Sequence, residues 1–324
     1  MVPRQMGCKQ HRVDSRLTAY VNRNLESLMK RTLVSVIKEL PPPWKARSLG
    51  RRPHDPRVVA LCCILRVALR HTYDSIESYL KKDRDLKRIV GTNRLPGHSV
   101  IHRGMDNLPM PYVRRVLRKT IWRLRRAGMD VAVDATGFSV TNRSMWFDIR
   151  IQRKNSRGEC IKLHIAVDVD TGVIHSFTIT GWRGGDSTEF PRLMKELPDL
   201  GRVMGDRAYS SHDNLRIVVE KNGVPFIKFK KNTVSNARRS PAWKRSHREF
   251  LADQEAWMDV YHRRSIVEAV FSSIKRTWGS TLRSRKYWNQ RRELALKVLA
   301  YDVRQVLYNE RARVLGVDLR TQID

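Results

Sequence analysis

Apolar residues recur at helical spacing through the first part of the chain, up to about residue 126. The pattern predicts a long first helix that is capped by Ser15 and stopped by Pro41, Pro42 and Pro43. Shorter helices are predicted at 58–69, 73–80, 86–90 and 100–107, with a longer one from Pro111 onward. The first part of the chain is therefore predicted to be all-helical.

At Met129 the pattern changes to short apolar runs that alternate with amphipathic segments. It predicts, in order, strands at 131–138, 161–168 and 173–181, a helix at 186–197, a strand at 202–205, a helix at 211–221 and a strand at 224–229. A basic loop to about His247, a helix from Tyr261 and a last amphipathic helix at 291–311 follow. Three consecutive strands and then alternating units predict a mixed α/β sheet with helices on its faces, in the order of the ribonuclease H-like fold.

The charge of the chain indicates what it binds. Lysine and arginine number 64 against 32 acids, so the 324-residue chain has a formal net charge of +32. A folded chain with this excess needs an anionic partner, and nucleic acid is the natural one. Because no apolar stretch reaches roughly 18 residues, membrane association is not expected. The short, arginine-rich helices of residues 55–128 then predict a helix-turn-helix-like DNA-binding module, with a plain bundle bearing a solvated basic face as the alternative.

Three acids take special positions in the predicted sheet. Asp134 lies inside the first strand, Asp206 ends the fourth, and Glu268 lies on the helix after the fifth. The first and fourth strands are neighbours in such a sheet, so the three carboxylates are predicted to converge. Mg²⁺ prefers oxygen ligands, and two such ions can activate an attacking oxygen and stabilise a leaving oxygen at phosphorus.

The identity of the middle acid has rivals, namely Asp168, Asp170 and Asp186. Asp168 and Asp170 adjoin a predicted turn and are expected to stabilise it locally. Asp186 follows two glycines and has the features of a helix N-cap. Asp206 is preferred because it follows a short apolar strand and leads into a helical unit, which is where open sheets place ligands.

The stretch from Tyr261 to Lys275 is predicted to be one helix with two faces. Tyr261, Arg264, Glu268 and Lys275 are spaced by three, four and seven residues, which brings them within roughly 60° of one another on a helix. By spacing alone, an ordinary solvated charged face is the plainer interpretation.

The chain resembles the DDE transposases of insertion sequences, and in particular the group around insertion sequence 4. That group has a signature of Tyr, two residues, Arg, three residues, Glu, six residues and Lys, which Tyr261, Arg264, Glu268 and Lys275 match at every position. The VDAT motif at Asp134 and the GDRAYSS motif at Asp206 also fit. Only 61 residues separate Asp206 from Glu268, so the large β-rich insertion of some members is absent, which puts hairpin formation in doubt.

The resemblance implies a cytoplasmic, nucleoid-associated prokaryotic enzyme that cleaves and joins DNA. Asp134, Asp206 and Glu268 would be the catalytic acids and would hold two Mg²⁺ ions, with Mn²⁺ as a substitute. A homodimer would bring terminal inverted repeats and target DNA together. The implied domains are an N-terminal helix and linker (1–54), the helical DNA-binding module (55–128), the ribonuclease H-like catalytic domain (129–311) and a tail (312–324). The alternatives are a nuclease without strand transfer and a domesticated DNA-binding protein.

Further residues are candidates for contact with DNA. Arg264, Lys275 and Tyr261 would hold the transposon end. Other expected phosphate contacts are basic residues, with solvated side chains as the alternative: Arg283, Arg285, Lys286, His102 and Arg103. Three tryptophans could stack on an unpaired base but are favoured as core or lid residues: Trp182, Trp278 and Trp288.

Overall fold

The computed structural model describes residues 11–12, 14–46, 53–140, 160–229, 233, 240–319 and 321–322. Within these ranges, the region before the sheet is helical. Its helices are α1 (Ser15–Lys38), α2 (Pro56–Ala68), α3 (Tyr73–Lys82), α4 (Arg84–Val90), α5 (His98–Asn107) and α6 (Met110–Ile121). A single 3₁₀ turn at Trp122–Leu124 leads from α6 toward the sheet. The all-helical first part predicted from the apolar spacing is thus confirmed.

Local side chains explain where these helices begin and how closely they pack. Asp14, not Ser15, caps α1, because its carboxylate accepts the backbone N–H groups of Arg16 and Leu17. Thr72 caps α3 in a reciprocal pair with Ser75. At Gly104, α5 lies so close to α2 that an added Cβ would come within 2.4 Å of a methyl carbon of a valine there.

The second part of the chain alternates between strands and helices. The strands are β1 (Met129–Ser139), β2 (Cys160–Asp168), β3 (Ile174–Gly181), β4 (Leu200–Gly205) and β5 (Val224–Ile227). The helices are α7 (Asp186–Lys195), α8 (His212–Glu220), α9 (Pro241–Ala252), α10 (Gln254–His262), α11 (Ser265–Trp278) and α12 (Tyr287–Leu315). Two short segments, His11–Arg12 and Thr321–Gln322, pair antiparallel with each other.

The strands form one five-stranded mixed sheet in the order β3-β2-β1-β4-β5. The pairs β1/β2 and β2/β3 are antiparallel, whereas β1/β4 and β4/β5 are parallel. The fold is therefore α/β with the ribonuclease H-like strand order, preceded by a helical region. Each sheet face covers its own apolar cluster: α11 and α12 pack on one face, and α7 and α8 pack on the other.

Helix α12 is buried on every side along its middle. All residues from 293 to 303 are buried, among them Leu299 and Val303, which are fully inaccessible. The helix contacts α1, α2 and α6 on one side and β3 and α11 on the other. The prediction of a helix here is confirmed, but the prediction of a solvent-exposed face is wrong along its middle, because neighbouring elements cover both faces. The helical region and the sheet share one core, and the division at residue 128 stays a prediction.

The last part of one predicted loop is helical. The basic loop was expected to run to about His247, but α9 begins at Pro241 after Ser240 caps it with its hydroxyl. The helix buries Trp243 and His247 against the ring of Phe229. These aromatic contacts stabilise a helix in a segment whose polar composition predicts a loop. They cannot be predicted from the spacing of apolar residues in the segment. Within the described residues, no helix has the length and apolar character to span a membrane.

The shared core predicts that an α12 substitution destabilises the helical region and the sheet together. Leu299→Ala should lower the free energy of unfolding by about 2–5 kcal/mol, because it leaves a cavity in fully buried packing. Val314→Ala, at a side chain 72% exposed on the same helix, is the control and should change it by less than about 0.5 kcal/mol. Denaturant unfolding followed by circular dichroism and tryptophan fluorescence measures both. Two separate transitions in Leu299→Ala would contradict the shared core.

Candidate active site

The register of two parallel strands places Asp134 and Asp206 side by side. Val133 of β1 pairs with Gly205 of β4, and the two aspartates follow directly on these neighbouring strands. Parallel strands lie about 4.8 Å apart, so the two backbones are adjacent at this position. Asp206 also caps the 3₁₀ turn that follows, since its Oδ1 accepts the N–H of Ala208 at 2.9 Å. Two of the three predicted acids therefore meet at the end of β4.

Arg264 joins Asp134 to the third acid. Its Nη1 donates to Asp134 Oδ2 at 2.6 Å, and its Nη2 donates to Glu268 Oε1 at 2.7 Å. Glu268 lies in the first turn of α11 with its side chain 63% exposed, whereas the side chain of Arg264 is only 18% exposed. A guanidinium thus occupies the space between two carboxylates from different elements.

The electrostatics of the site follow from burial and from this mixture of charges. Burial raises the pKa of Asp134, and the negative charge of Asp206 adds to that effect, although the Ala135 N–H and Arg264 oppose it. Burial would lower the pKa of Arg264, but the charges of Asp134, Tyr261 and Glu268 outweigh it and the pKa is raised. The site therefore concentrates negative charge that a cation stabilises.

The predicted single helix from Tyr261 to Lys275 is wrong. Tyr261 belongs to the last turn of α10, and α11 starts only at Ser265. At the junction the hydrogen bonds run over three residues rather than four, as in Arg264 N–H to Tyr261 O and Ile266 N–H to Arg263 O. Arg263 and Arg264 lie in this tightened turn, and both reach acids on or beside the sheet.

The other two signature residues also lie against the sheet. Lys275 donates to Thr136 Oγ1 of β1 at 2.7 Å, and burial lowers its pKa. Tyr261 is 8% exposed and stacks on Trp257 with ring centroids 5.5 Å apart. Burial raises the pKa of Tyr261 and the Arg264 guanidinium opposes this. Arg264 and Lys275 therefore both bond to side chains of β1, whereas Tyr261 packs against the ring of Trp257.

The three rival acids are engaged elsewhere. Asp168 is fully buried, accepts the N–H of Asp170 at 2.9 Å and pairs with Arg126, so it stabilises the turn after β2. Asp186 is the first residue of α7 and makes no cap hydrogen bond, so the predicted N-cap is wrong. Its carboxylate pairs instead with Lys162 Nζ at 2.7 Å. The strand register puts Lys162 on the α7 face of the sheet, opposite the face that carries Asp134.

A second group of predicted contacts lies where α5 meets the loop between α11 and α12. Asp106 at the end of α5 accepts from Lys286 Nζ at 2.9 Å and from the side chain of Asn289. The remaining predicted residues of this group are exposed: His102, Arg103, Arg283 and Arg285. Together with Lys286, these residues form an exposed basic surface.

A buried pair on α12 holds the basic loop of residues 279–286. The Glu293 carboxylate accepts the backbone N–H groups of Arg283 and Ser284 at 2.9–3.1 Å. Lys297 Nζ donates to the carbonyls of Gly279 and Thr281 at 3.0 and 2.9 Å. Sequence reasoning passed over both residues, although two charges in an otherwise apolar stretch of helix were a usable signal.

The three tryptophans differ in their surroundings. The Trp278 indole N–H donates to the carbonyl of Ala68 at 3.0 Å, so this residue ties α11 to α2. Trp288 is 63% exposed at the start of α12, beside the exposed ring of Tyr287. Trp182 is 37% exposed and lies under the guanidinium of Arg183. Of the three, Trp288 has the most free surface for stacking.

The family of the chain follows from the comparison of its sequence with known domains. Residues 126–303, more than half of the chain, match the family described as the transposase DDE domain. The chain belongs to this family. Among solved structures it is similar to piggyBac transposase in a synaptic complex with hairpin DNA, at 9% identity and a TM-score of 0.44, over 96% of this chain and 80% of that chain. No curated protein matches the chain.

Transposases of this family use divalent metal ions, and the donor set of this chain fits such ions. All three candidate ligands are carboxylates, and the Arg264 guanidinium shows that a cation is stabilised between Asp134 and Glu268. Across the described ranges, no three potential ligands are grouped closely enough to hold an ion as they stand. Arg264 bonds to two of the three acids.

Sequence reasoning also passed over a network beside the site. Arg263 donates to Asp130 Oδ2 and to Asp170 Oδ1, both at 2.6 Å, and Arg202 pairs with Asp130 at 2.8 Å. Asp130 is on β1 and Arg202 is on β4, so the network links the turn before α11 to the two strands that carry the aspartates. The available signal was Asp130 on the same strand as Asp134.

We expect Asp206→Asn to abolish cleavage with little change in stability. The amide retains the oxygen that caps the turn but loses the charge that a metal ligand needs, so DNA cleavage should fall on the order of 100-fold or more. Asp186→Asn loses only a partly exposed ion pair and should stay within about tenfold of the wild type. Mg²⁺-dependent cleavage and melting temperatures of both variants decide between them. An active Asp206→Asn beside a folded but inactive Asp186→Asn would overturn this assignment.

Proposed function

We propose that the chain is a transposase that binds the inverted-repeat ends of an insertion sequence and catalyses cleavage and strand transfer of its DNA. The proposal is supported by two observations in a transposase DDE domain: Asp134 and Asp206 follow paired residues of neighbouring strands, and Arg264 bridges Asp134 and Glu268. The net charge of +32 supports DNA as the partner. A homodimer that holds two ends, in a prokaryotic cytoplasm, belongs to the same proposal.

Asp134, Asp206 and Glu268 would hold two Mg²⁺ ions, with Mn²⁺ as a substitute. Bound there, the ions would activate the attacking oxygen and neutralise charge on the leaving oxygen at phosphorus. Cleavage and joining are both in-line displacements, so one site can serve both steps. In this proposal Arg264 leaves the carboxylates and turns to the DNA, because its planar fork suits a phosphate as well as a carboxylate.

The other residues of the signature would position the end of the transposon. Lys275 is held next to β1 by Thr136 and would supply a point charge to a phosphate. Tyr261 would support Arg264, whose guanidinium carbon lies 5.9 Å from the tyrosine ring centre. These residues, at the signature spacing, support a place in the group around insertion sequence 4.

The basic surface at α5 and the 279–286 loop would bind DNA beyond the cleavage site. It comprises His102, Arg103, Arg283, Arg285 and Lys286, which would contact phosphates in a helix-turn-helix-like arrangement with α5 as the recognition helix. The segment from Asp206 to Glu268 contains α8, β5, α9 and α10 among its described residues. These elements take up much of the short segment, so a large inserted domain does not fit there.

Glu268→Gln should keep DNA binding and lose cleavage. Glutamine retains an oxygen for Arg264 but not the charge that a metal ion requires, so the cleavage rate should fall on the order of 100-fold or more. Glu255→Gln, at an exposed position of α10, is the matched control and should behave as the wild type. A terminal fragment with Mg²⁺ in a cleavage assay, beside a gel shift, measures both effects. Cleavage at the wild-type rate in Glu268→Gln would refute the role of this residue.

A strand-transfer assay distinguishes a transposase from a nuclease that only cleaves DNA. The wild-type chain with Mg²⁺ should join a pre-cleaved transposon end, carrying a free 3′-hydroxyl, to a plasmid, because joining and cleavage share one site. The same end with a 3′-deoxy terminus is the control and should give no product. Cleavage of an intact end without joining of the pre-cleaved one would favour the nuclease. DNA binding without either reaction would favour a domesticated binding protein.

A further inference from the structure

A cavity lies between α2 and the C-terminal end of α11. Its volume is about 260 Å³, several times the roughly 30 Å³ that a water molecule occupies in the liquid, so it has room for a phosphate group. Its lining contains one carboxylate, Glu293, against five cations: Arg66, Arg70, Arg276, Arg283 and Lys297. The cavity is therefore strongly positive.

The clearest sign of a missing ligand is Arg66. The residue is 6% exposed, and its Nε and Nη2 are buried without a hydrogen-bond partner. The guanidinium packs over the ring of Tyr73, with its carbon 4.3 Å from the ring centre. Burial of a guanidinium without a counter-charge is costly, so a chain that places one at a cavity wall benefits when an anion enters.

The neighbouring cations have few partners of their own. Of the residues that the structure describes, none forms an ion pair with Arg66, Arg276 or Arg283. Glu293 spends its oxygens on the backbone of the 279–286 loop. Lys297 donates to two carbonyls of the same loop. The positive charges of Arg66, Arg276 and Arg283 are therefore left for a ligand.

We infer that this cavity binds a phosphodiester of the DNA backbone, outside the cleavage site. The inference rests on the proposed function, because it takes DNA as the ligand. Arg276 follows Glu268 by eight positions on α11, which is about 12 Å along the helix. That distance corresponds to about three or four nucleotides of a strand, at about 3.4 Å of rise each. A strand that enters the acid site can thus continue along α11 and place a phosphate beside Arg66.

The loop of residues 279–286 also links the cavity to the strand that carries Asp134. Arg283 lines the cavity and belongs to the exposed basic surface that includes Arg285 and Lys286. The main chain of this loop is fixed at Ser139, whose N–H donates to Ser280 O at 3.0 Å and whose carbonyl accepts from Leu282 at 2.8 Å. Ser139 ends β1, the strand that carries Asp134. The loop therefore connects the cavity both to β1 and to the exposed basic surface.

The test measures DNA affinity of the full-length chain as a function of salt. Arg66→Met should weaken binding roughly 3- to 10-fold at every duplex sequence and reduce the slope of log affinity against log salt by about 1, because one phosphate contact is lost. Arg276→Ala should act in the same direction. Arg216→Met, on α8 at the opposite face of the sheet, is the control for a lost charge and should leave the slope unchanged.

A second readout separates a ligand contact from a structural role. Arg66→Met removes an uncompensated buried charge at similar volume, so the melting temperature of the free protein should stay equal or rise. Inorganic phosphate should protect the wild type from unfolding less than a short duplex does.

Wild-type slopes in both Arg66→Met and Arg276→Ala would overturn the cavity assignment alone. Protection by inorganic phosphate that Arg66→Met abolishes, with an unchanged DNA slope, would also overturn it in favour of a small free anion. A wild-type chain that binds no duplex would contradict both this inference and the proposed function.

Discussion

The burial of α12 is the packing constraint on which the rest of the fold depends. Its middle section touches helices from the first part of the chain on one side and the sheet on the other. Apolar burial at this scale is the dominant favourable contribution to folding, and it is lost on both sides when the helix is displaced. The helical region therefore has a defined position relative to β1, and the basic surface of α5 has a defined position relative to the acids.

The charges buried along α12 have a more specific role. Glu293 and Lys297 hold the 279–286 loop through its main chain. Asp302 is fully buried and accepts the N–H of Ile174 at 2.9 Å, and burial raises its pKa well above the usual range. Each of these groups would be costly if it were left without a partner, so each fixes the register of α12 against a neighbour. The helix is positioned by polar contacts as well as by its apolar surface.

The acid site and the cavity show the same physical principle with opposite signs. Asp134 and Glu268 are negative groups that share a cation from the protein itself, Arg264. Arg66 is a positive group with no anion from the protein. In a low-dielectric setting an uncompensated charge is expensive, so the buried Arg66 favours binding of an anion. At the acid site Arg264 already supplies the positive charge, and a metal ion would take its place.

The sequence by itself determined the order of the strands, the helical nature of the first part of the chain and the choice of candidate acids. Period changes at Met129 and the apolar runs around Asp134 and Asp206 were sufficient, because strand and helix periods are local properties of the chain. The resemblance to a family could also be seen from the sequence, because the signature residues lie close together in the chain: Tyr261, Arg264, Glu268 and Lys275.

Only the tertiary structure decided which groups meet. The break before α11, the α9 helix and the ion pair of Asp186 depend on residues distant in sequence, such as Asp130, Phe229 and Lys162. Arg66 gave a weak signal as a lone arginine in an apolar helix, yet its lack of a partner is a property of the packed molecule. Periodicity reports which face of an element is apolar, whereas the contacts of a charged side chain depend on which elements pack beside it.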